Sequence, residues 1–226
     1  MRESILTIPV SEIFEPKCGC PICTMRDMLE QRTVDYIMGA AMMEPDVRIE
    51  TNKQGFCKTH FEQMRACKNR LSLALMLQTH LQSLDKNVFA RKSIFEGKTA
   101  KQKKVSVINN DCFVCNKIEW GMSRLMVTTL ELYSKQKEFR ELFSGQEMLC
   151  LPHYDLLVSM SESVDKGCRS AFIDACNALV KKQLDILIED VTHYCNMYDY
   201  RNSGKDGDWK NSKDPIERAI KFLTTR

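Results

Sequence analysis

Apolar residues recur at helical spacing along most of this chain. After Cys23 they fall at Met25, Leu29, Tyr36, Ala40 and Met43, which predicts a helix that Pro45 closes. After Cys115, the residues Ile118, Met122, Leu125, Leu130 and Leu132 predict a matching helix. A second helix is expected to start near Cys57-Lys-Thr-His60 and again near Cys150-Leu-Pro-His153. A longer stripe follows each of these. The first is Leu71, Leu75, Leu81, Leu84 and Val88; the second is Phe172, Cys176, Leu179, Leu184, Leu187, Val191, Tyr194 and Tyr198. The second stripe has no Gly or Pro between residues 168 and 200, so a helix of about thirty residues is expected, long against the usual range. Residues 5–10 and 105–108 are short and rich in β-branched side chains, and predict extended arms or small strands. The fold class is therefore all-α with at most short strands.

The pattern occurs twice. Cys20-Pro-Ile-Cys23 and Cys57-Lys-Thr-His60 are followed by Cys112-Phe-Val-Cys115 and Cys150-Leu-Pro-His153, at offsets of 92, 92, 93 and 93 residues. Leu81, Leu84 and Val88 then align with Leu184, Leu187 and Val191 at an offset of 103, so repeat two carries about ten extra residues after its histidine, around 161–167. The expected organisation is a first helical repeat over 1–90, a basic connector over 91–104, a second helical repeat over 105–200, and a polar loop with a C-terminal docking helix over 201–226. Two tandem repeats imply a pseudo-two-fold helical bundle. In the tail, Asp214-Pro215 is a helix start, with Asp at the N-cap and Pro at the first helical position. Ile216, Ala219, Ile220 and Leu223 give that helix an apolar face, and Trp209 is an anchor for the loop before it.

Each repeat offers three thiolates and one imidazole: Cys20, Cys23, Cys57 and His60, then Cys112, Cys115, Cys150 and His153. Two i, i+3 pairs at helix starts can point at one ion, and the set suits a tetrahedral metal, zinc before others. Helix N-termini carry partial positive charge and favour thiolate over thiol. Two zinc ions in closed, structural Cys3His sites are expected. Pairing within each repeat is the simplest arrangement; exchange, with Cys20 and Cys23 meeting Cys150 and His153, is the alternative. An iron–sulfur cluster is the other metal reading. A dithiol enzyme using Cys18 as a third thiol is disfavoured, because the context is helical and each Cys-x-x-Cys has its Cys-x-x-His complement. Asp190 and His193 at i, i+3 resemble half of a carboxylate di-metal motif, but Gln183 stands where repeat one has His80, and one exposed or capping histidine is the preferred reading. Glycine-rich phosphate loops, nucleophile elbows and His-Glu-x-x-His motifs are absent, so no catalytic residue is assigned.

Composition narrows the classes further. The chain has 226 residues, 43% hydrophobic and 28% charged, with a formal net charge of +3, too mild to imply a nucleic-acid or membrane partner by itself. It shows no secretory signal and no apolar run long enough to span a membrane. Eleven cysteines without such a signal point to a reducing cytoplasm and thiols free for metal. The connector sets Arg91, Lys92, Lys98, Lys101, Lys103 and Lys104 against Glu96. It could contact phosphates, but without aromatic interleaving a solvated linker is preferred. The methionines at 25, 28, 38, 42 and 43 read as core filling before binding surface. The expectation is a zinc-binding interaction or regulatory protein. A nucleic-acid-binding protein using the connector and a redox or iron–sulfur enzyme are the alternatives.

Taken together, Cys20-Pro-Ile-Cys23, Gly55-Phe-Cys-Lys-Thr-His60, the second copy and the closing Trp209…Pro215-Ile-Glu-Arg-Ala-Ile220 resemble a bacterial family of uncharacterised proteins with a domain of unknown function. The resemblance covers nearly the whole chain. The second copy departs from the first, with Met148-Leu149 for Gly55-Phe56 and Phe113-Val114 for Pro21-Ile22, and keeps every ligand-type residue. The resemblance implies a cytoplasmic bacterial protein and brings no activity with it.

Overall fold

The computed structural model describes residues 7–89, 98–198, 211 and 213–224. Eleven α-helices lie among the described residues, and no strand does. In chain order they are α1 (Thr7–Phe14), α2 (Pro21–Met38), α3 (Pro45–Gln54), α4 (Lys58–Ala66), α5 (Arg70–Leu84), α6 (Lys98–Asn110), α7 (Phe113–Lys135), α8 (Lys137–Ser144), α9 (Leu151–Ser159), α10 (Lys166–Met197) and α11 (Pro215–Leu223). The all-α fold read from the periodicity is the one observed. The small strands are not: Thr7 to Val10 lie in α1, and Val105 to Ile108 lie in α6. Short β-branched runs are weak strand signals without a partner strand to pair with. Lys98 to Lys104, at the end of the basic connector, are helical as well. The rest of the connector, Trp209 and its loop lie outside the described residues.

The two repeats match helix for helix, α1–α5 against α6–α10, and the departures have local causes. Where α7 runs unbroken, α2 stops at Met38 and gives way to a 3-10 turn over Ala40–Met43. Gly39 stands at the break with a ψ of −135°, outside the helical range, and its counterpart in α7 is Glu131, a good helix former. Pro45 does not close that first helix; it opens α3 at the first helical position, where a missing N–H costs nothing. The extra residues of repeat two lengthen the connection after α9 and start α10 about two turns earlier. The result is a helix of 32 residues.

The chain forms two compact units, and each takes helices from both repeats. The first comprises Met1–Met25 and Arg124–Arg226, the second Arg26–Ser123. In the first unit, Phe14 of α1, Tyr133 of α7, Phe139 and Phe143 of α8 and Phe172 of α10 make an aromatic core. In the second, Val34, Ile37 and Met38 of α2 pack with Met64, Met76, Phe113, Val114 and Ile118. Met25 and Met38 are buried core residues, as expected of filling, whereas Met43 is exposed.

The predicted stripes of α5 and α11 are rotated from their expected register, whereas that of α10 is buried at Phe172, Cys176, Leu179 and Leu187. The inner face of α5 is Ser72, Met76 and His80, while Leu71 and Leu81 face solvent. His80 Nδ1 lies 3.1 Å from the carbonyl oxygen of Asn52, which satisfies the buried imidazole. In α10, Gln183 at the matching position is buried in place of Leu184. The C-terminal helix docks through Pro215 and Phe222, and Ile216, Ile220 and Leu223 stay exposed. Asp214 sits at the N-cap position without capping; its carboxylate accepts from Arg218 Nε at 2.9 Å. Arg218 also donates to Asp190 at 2.8 Å, so Asp190 anchors α11 to α10 in an ion pair, and among the described residues it stands in neither metal-ligand group.

Candidate metal centres

All four cysteine motifs are built alike. Cys20, Cys57, Cys112 and Cys150 each stand immediately before a helix, and Cys23, His60, Cys115 and His153 occupy its third position. The i, i+3 spacing therefore puts both ligand atoms on the same side of a helix N-terminus. Two such N-termini meet at each cluster, those of α2 and α9 in the first unit and those of α4 and α7 in the second. Their unpaired N–H groups and partial positive charge favour thiolates there.

The eight residues come together as two groups of four: Cys20, Cys23, Cys150 and His153, and Cys57, His60, Cys112 and Cys115. Within each group the candidate ligand atoms lie within 4.8 Å of one another. Pairing within each repeat is thus overturned, and the exchanged arrangement is the one the chain adopts. The reason is the division of the repeats between units. The Cys-x-x-Cys turn of each repeat packs in the unit that holds the other repeat's Cys-x-x-His helix. A backbone bond marks this in the second unit, where the Phe113 N–H donates to the Gly55 carbonyl at 3.0 Å. Gly55 has a φ of +66°, and a Cβ there would lie 3.2 Å from the His80 ring. The turn before Cys57 therefore favours glycine.

The distances suit a tetrahedral ion. In the first cluster His153 Nδ1 lies 3.6, 3.3 and 3.1 Å from the sulfurs of Cys20, Cys23 and Cys150. The Cys23 and Cys150 sulfurs are 3.7 Å apart. In the second, His60 Nδ1 lies 3.1, 3.2 and 3.5 Å from Cys57, Cys112 and Cys115. Tetrahedral zinc, with bonds of about 2.3 Å to sulfur and 2.0–2.1 Å to nitrogen, separates its ligand atoms by about 3.6–3.8 Å. Slight outward movement of the side chains seats such an ion. Both groups could hold a metal.

The clusters differ in their surroundings. Cys20, Cys150 and His153 are buried and Cys23 is half-buried, whereas Cys115 in the second cluster is exposed. His60 has a carboxylate behind it: Nε2 lies 3.1 Å from Glu30 Oε1, and both residues are buried. Met122 stands at the repeat-two position that matches Glu30. Burial alone would raise the Cys112 thiol, but hydrogen bonds from His60 and from the backbone N–H groups of Cys115 and Cys57 outweigh it and bring it down to about 6. Burial and the neighbouring Cys112 charge push Cys115 up to about 12. Hydrogen bonds from Cys150 and Cys23 hold Cys20 far below the usual thiol range despite burial. Burial would lower His153, but Cys150 and Cys20 outweigh it and raise it to about 9. Each cluster already stabilises negative sulfur and positive charge beside it, the electrostatics a bound cation would use.

The chain belongs to the family of unknown function DUF6062. The family model matches residues 1–226. No curated protein and no solved structure matches. Sequence reasoning had found all eight cluster residues of this DUF6062 chain and missed Glu30, which carries no motif and comes into place only because α2 continues past Cys23 into the second unit. Cys18 is exposed and stands in neither group. No helix among the described residues is long and apolar enough to cross a membrane.

Proposed function

We propose that this protein holds two structural zinc ions and works by binding other molecules rather than by catalysis. The convergence of three sulfurs and one Nδ1 in each cluster carries the metal reading. Cys3His is a closed set typical of structural zinc, whereas catalytic zinc keeps one position for water or substrate. Each ion would clamp two helix N-termini together, one from each repeat. An exposed apolar row on α11, Ile216, Ile220 and Leu223 at i, i+4 and i+7, supports a role in interaction with a protein partner. Eleven free thiols support a reducing, cytoplasmic setting.

Metal analysis of anaerobically purified protein, with a visible spectrum of the same sample, tests this. About two zinc per chain and no visible absorbance are expected from the two groups. Iron with charge-transfer bands would replace this reading with an iron–sulfur one.

The Glu30–His60 contact makes a further prediction. Carboxylates that orient a ligand histidine contribute about 10–100-fold to metal affinity. Glu30→Gln should therefore weaken zinc at the second cluster by about that factor, read by competition with a chromophoric chelator. Zinc at the first cluster should be unaffected. Equal weakening at both sites would contradict the role given to Glu30.

A further inference from the structure

The two clusters share one ligand set and differ in what covers it. In the first, Cys20 and Cys150 are buried and Cys23 is half-buried, so no cysteine is exposed. In the second, Cys112 is buried and Cys57 half-buried, but Cys115 is exposed. Cys18 and Cys195 are exposed as well and stand in neither group. Cys115 is therefore the one exposed cysteine that belongs to a cluster.

Oxidation of a cysteine needs thiolate character and access. A metal site demands the thiolate, and exposure supplies the access. The product stays reversible where a second thiol stands close enough to trap it as a disulfide. Cys112 is such a thiol. It stands three residues before Cys115 at the start of α7, where the Asn116 N–H donates to its carbonyl at 3.0 Å. Helical i, i+3 Cα atoms are about 5 Å apart, inside the range of about 4.4–6.8 Å that disulfides span. The ligand atoms of this cluster lie within 4.8 Å of one another, so rotation of the side chains brings the two sulfurs together. Cys20 and Cys23 have the same spacing; access, not spacing, separates the two clusters.

We propose that Cys115 is an oxidation site for hydrogen peroxide, and that its oxidation closes a Cys112–Cys115 disulfide and opens the second cluster while the first stays intact. The Cys115 thiolate attacks one peroxide oxygen. The O–O bond breaks, Cys115 becomes a sulfenic acid, and the other oxygen leaves as hydroxide. The Cys112 thiolate then attacks the Cys115 sulfur and displaces a second hydroxide. Two protons from solvent turn both hydroxides into water. The two thiolates have lost two electrons in forming the S–S bond, and the peroxide has gained them. Cys57 and His60 remain, too few to hold the ion. The loss of the ion rests on the zinc proposed above; the disulfide does not. Without the clamp between α4 and α7, the core that Met64 shares with Phe113, Val114 and Ile118 loses its tie, and an oxidant unfolds the second unit.

The test treats the full chain, purified with its metal, with hydrogen peroxide. Zinc is followed with a chromophoric chelator, and disulfides by peptide mass mapping. One zinc of the two should be released at least tenfold faster than the other, with a Cys112–Cys115 disulfide forming at the same rate and helicity falling. Reduction in the presence of zinc should restore both. Cys18→Ser with Cys195→Ser removes the other exposed thiols and should leave the rate of release unchanged. The mapping needs no metal: protein that carries no zinc but forms this disulfide would remove the zinc reading and uphold the oxidation site. Release of both ions at one rate, a first disulfide at Cys20–Cys23 or at Cys18, no disulfide at all, or loss of the response in the double variant would each overturn the proposal.

Discussion

Cys150→Ser should unfold the unit that contains it at room temperature. Cys150 is fully buried before the first turn of α9, and its sulfur lies within reach of Cys23 and His153. A structural zinc contributes about 10–16 kcal/mol to folding in small peptides. A domain's whole net stability is about 5–15 kcal/mol. Replacing one thiolate with a hydroxyl therefore removes an interaction as large as the margin by which the unit is folded. Cys57→Ser should do the same to the second unit. Cys67→Ser is the control: its half-buried thiol donates to the Gln63 carbonyl at 3.4 Å, belongs to neither cluster, and can be replaced by a hydroxyl that keeps the bond. It should change stability by about 1 kcal/mol at most. Thermal melts followed by circular dichroism separate the three variants. Similar melting for all of them would contradict the ligand assignment.

Phe143→Ala should be the most damaging change away from the clusters. The Phe143 ring is fully buried, with centroids 5.7 Å from Phe14, 5.3 Å from Tyr133 and 5.4 Å from Phe172. It thus joins α1, α7, α8 and α10 at one point. Truncating such a ring costs about 3–5 kcal/mol through lost transfer energy and the cavity left behind. The melting temperature of that unit should fall by roughly 10–30 °C. Phe89→Ala, at a ring that is 62% exposed, should leave it nearly unchanged. Equal loss in the two variants would mean that the aromatic cluster is not the core of the first unit.

Motifs with a fixed internal geometry were legible in the sequence. A Cys at the N-cap and a second ligand at the third helical position is a local arrangement, so Cys20-Pro-Ile-Cys23 and its three counterparts announce both a helix start and a metal site. The long α10 was equally legible, because nothing between Cys168 and Tyr200 interrupts it. What local pattern does not determine is which helix end meets which. Within-repeat and exchanged pairing place the same residues at the same spacing, and the choice depends on how α2 and α7 carry the chain from one unit to the other. Face assignment failed for a related reason. In α5, apolar side chains surround the axis, and the buried row is set by His80 finding the Asn52 carbonyl, a tertiary contact. In α11, Phe222 is buried in place of Ile216, Ile220 and Leu223, and the Arg218–Asp190 ion pair belongs to the same docked geometry.

The exchanged pairing is also the claim that can be tested most directly, by the zinc content of two double variants after desalting. Cys20→Ala with Cys150→Ala removes two ligands from a single cluster, so about one zinc per chain should remain. Cys20→Ala with Cys57→Ala removes one ligand from each cluster, and almost none should remain. If each ion were held within one repeat, the two results would be reversed, and that outcome would contradict the account.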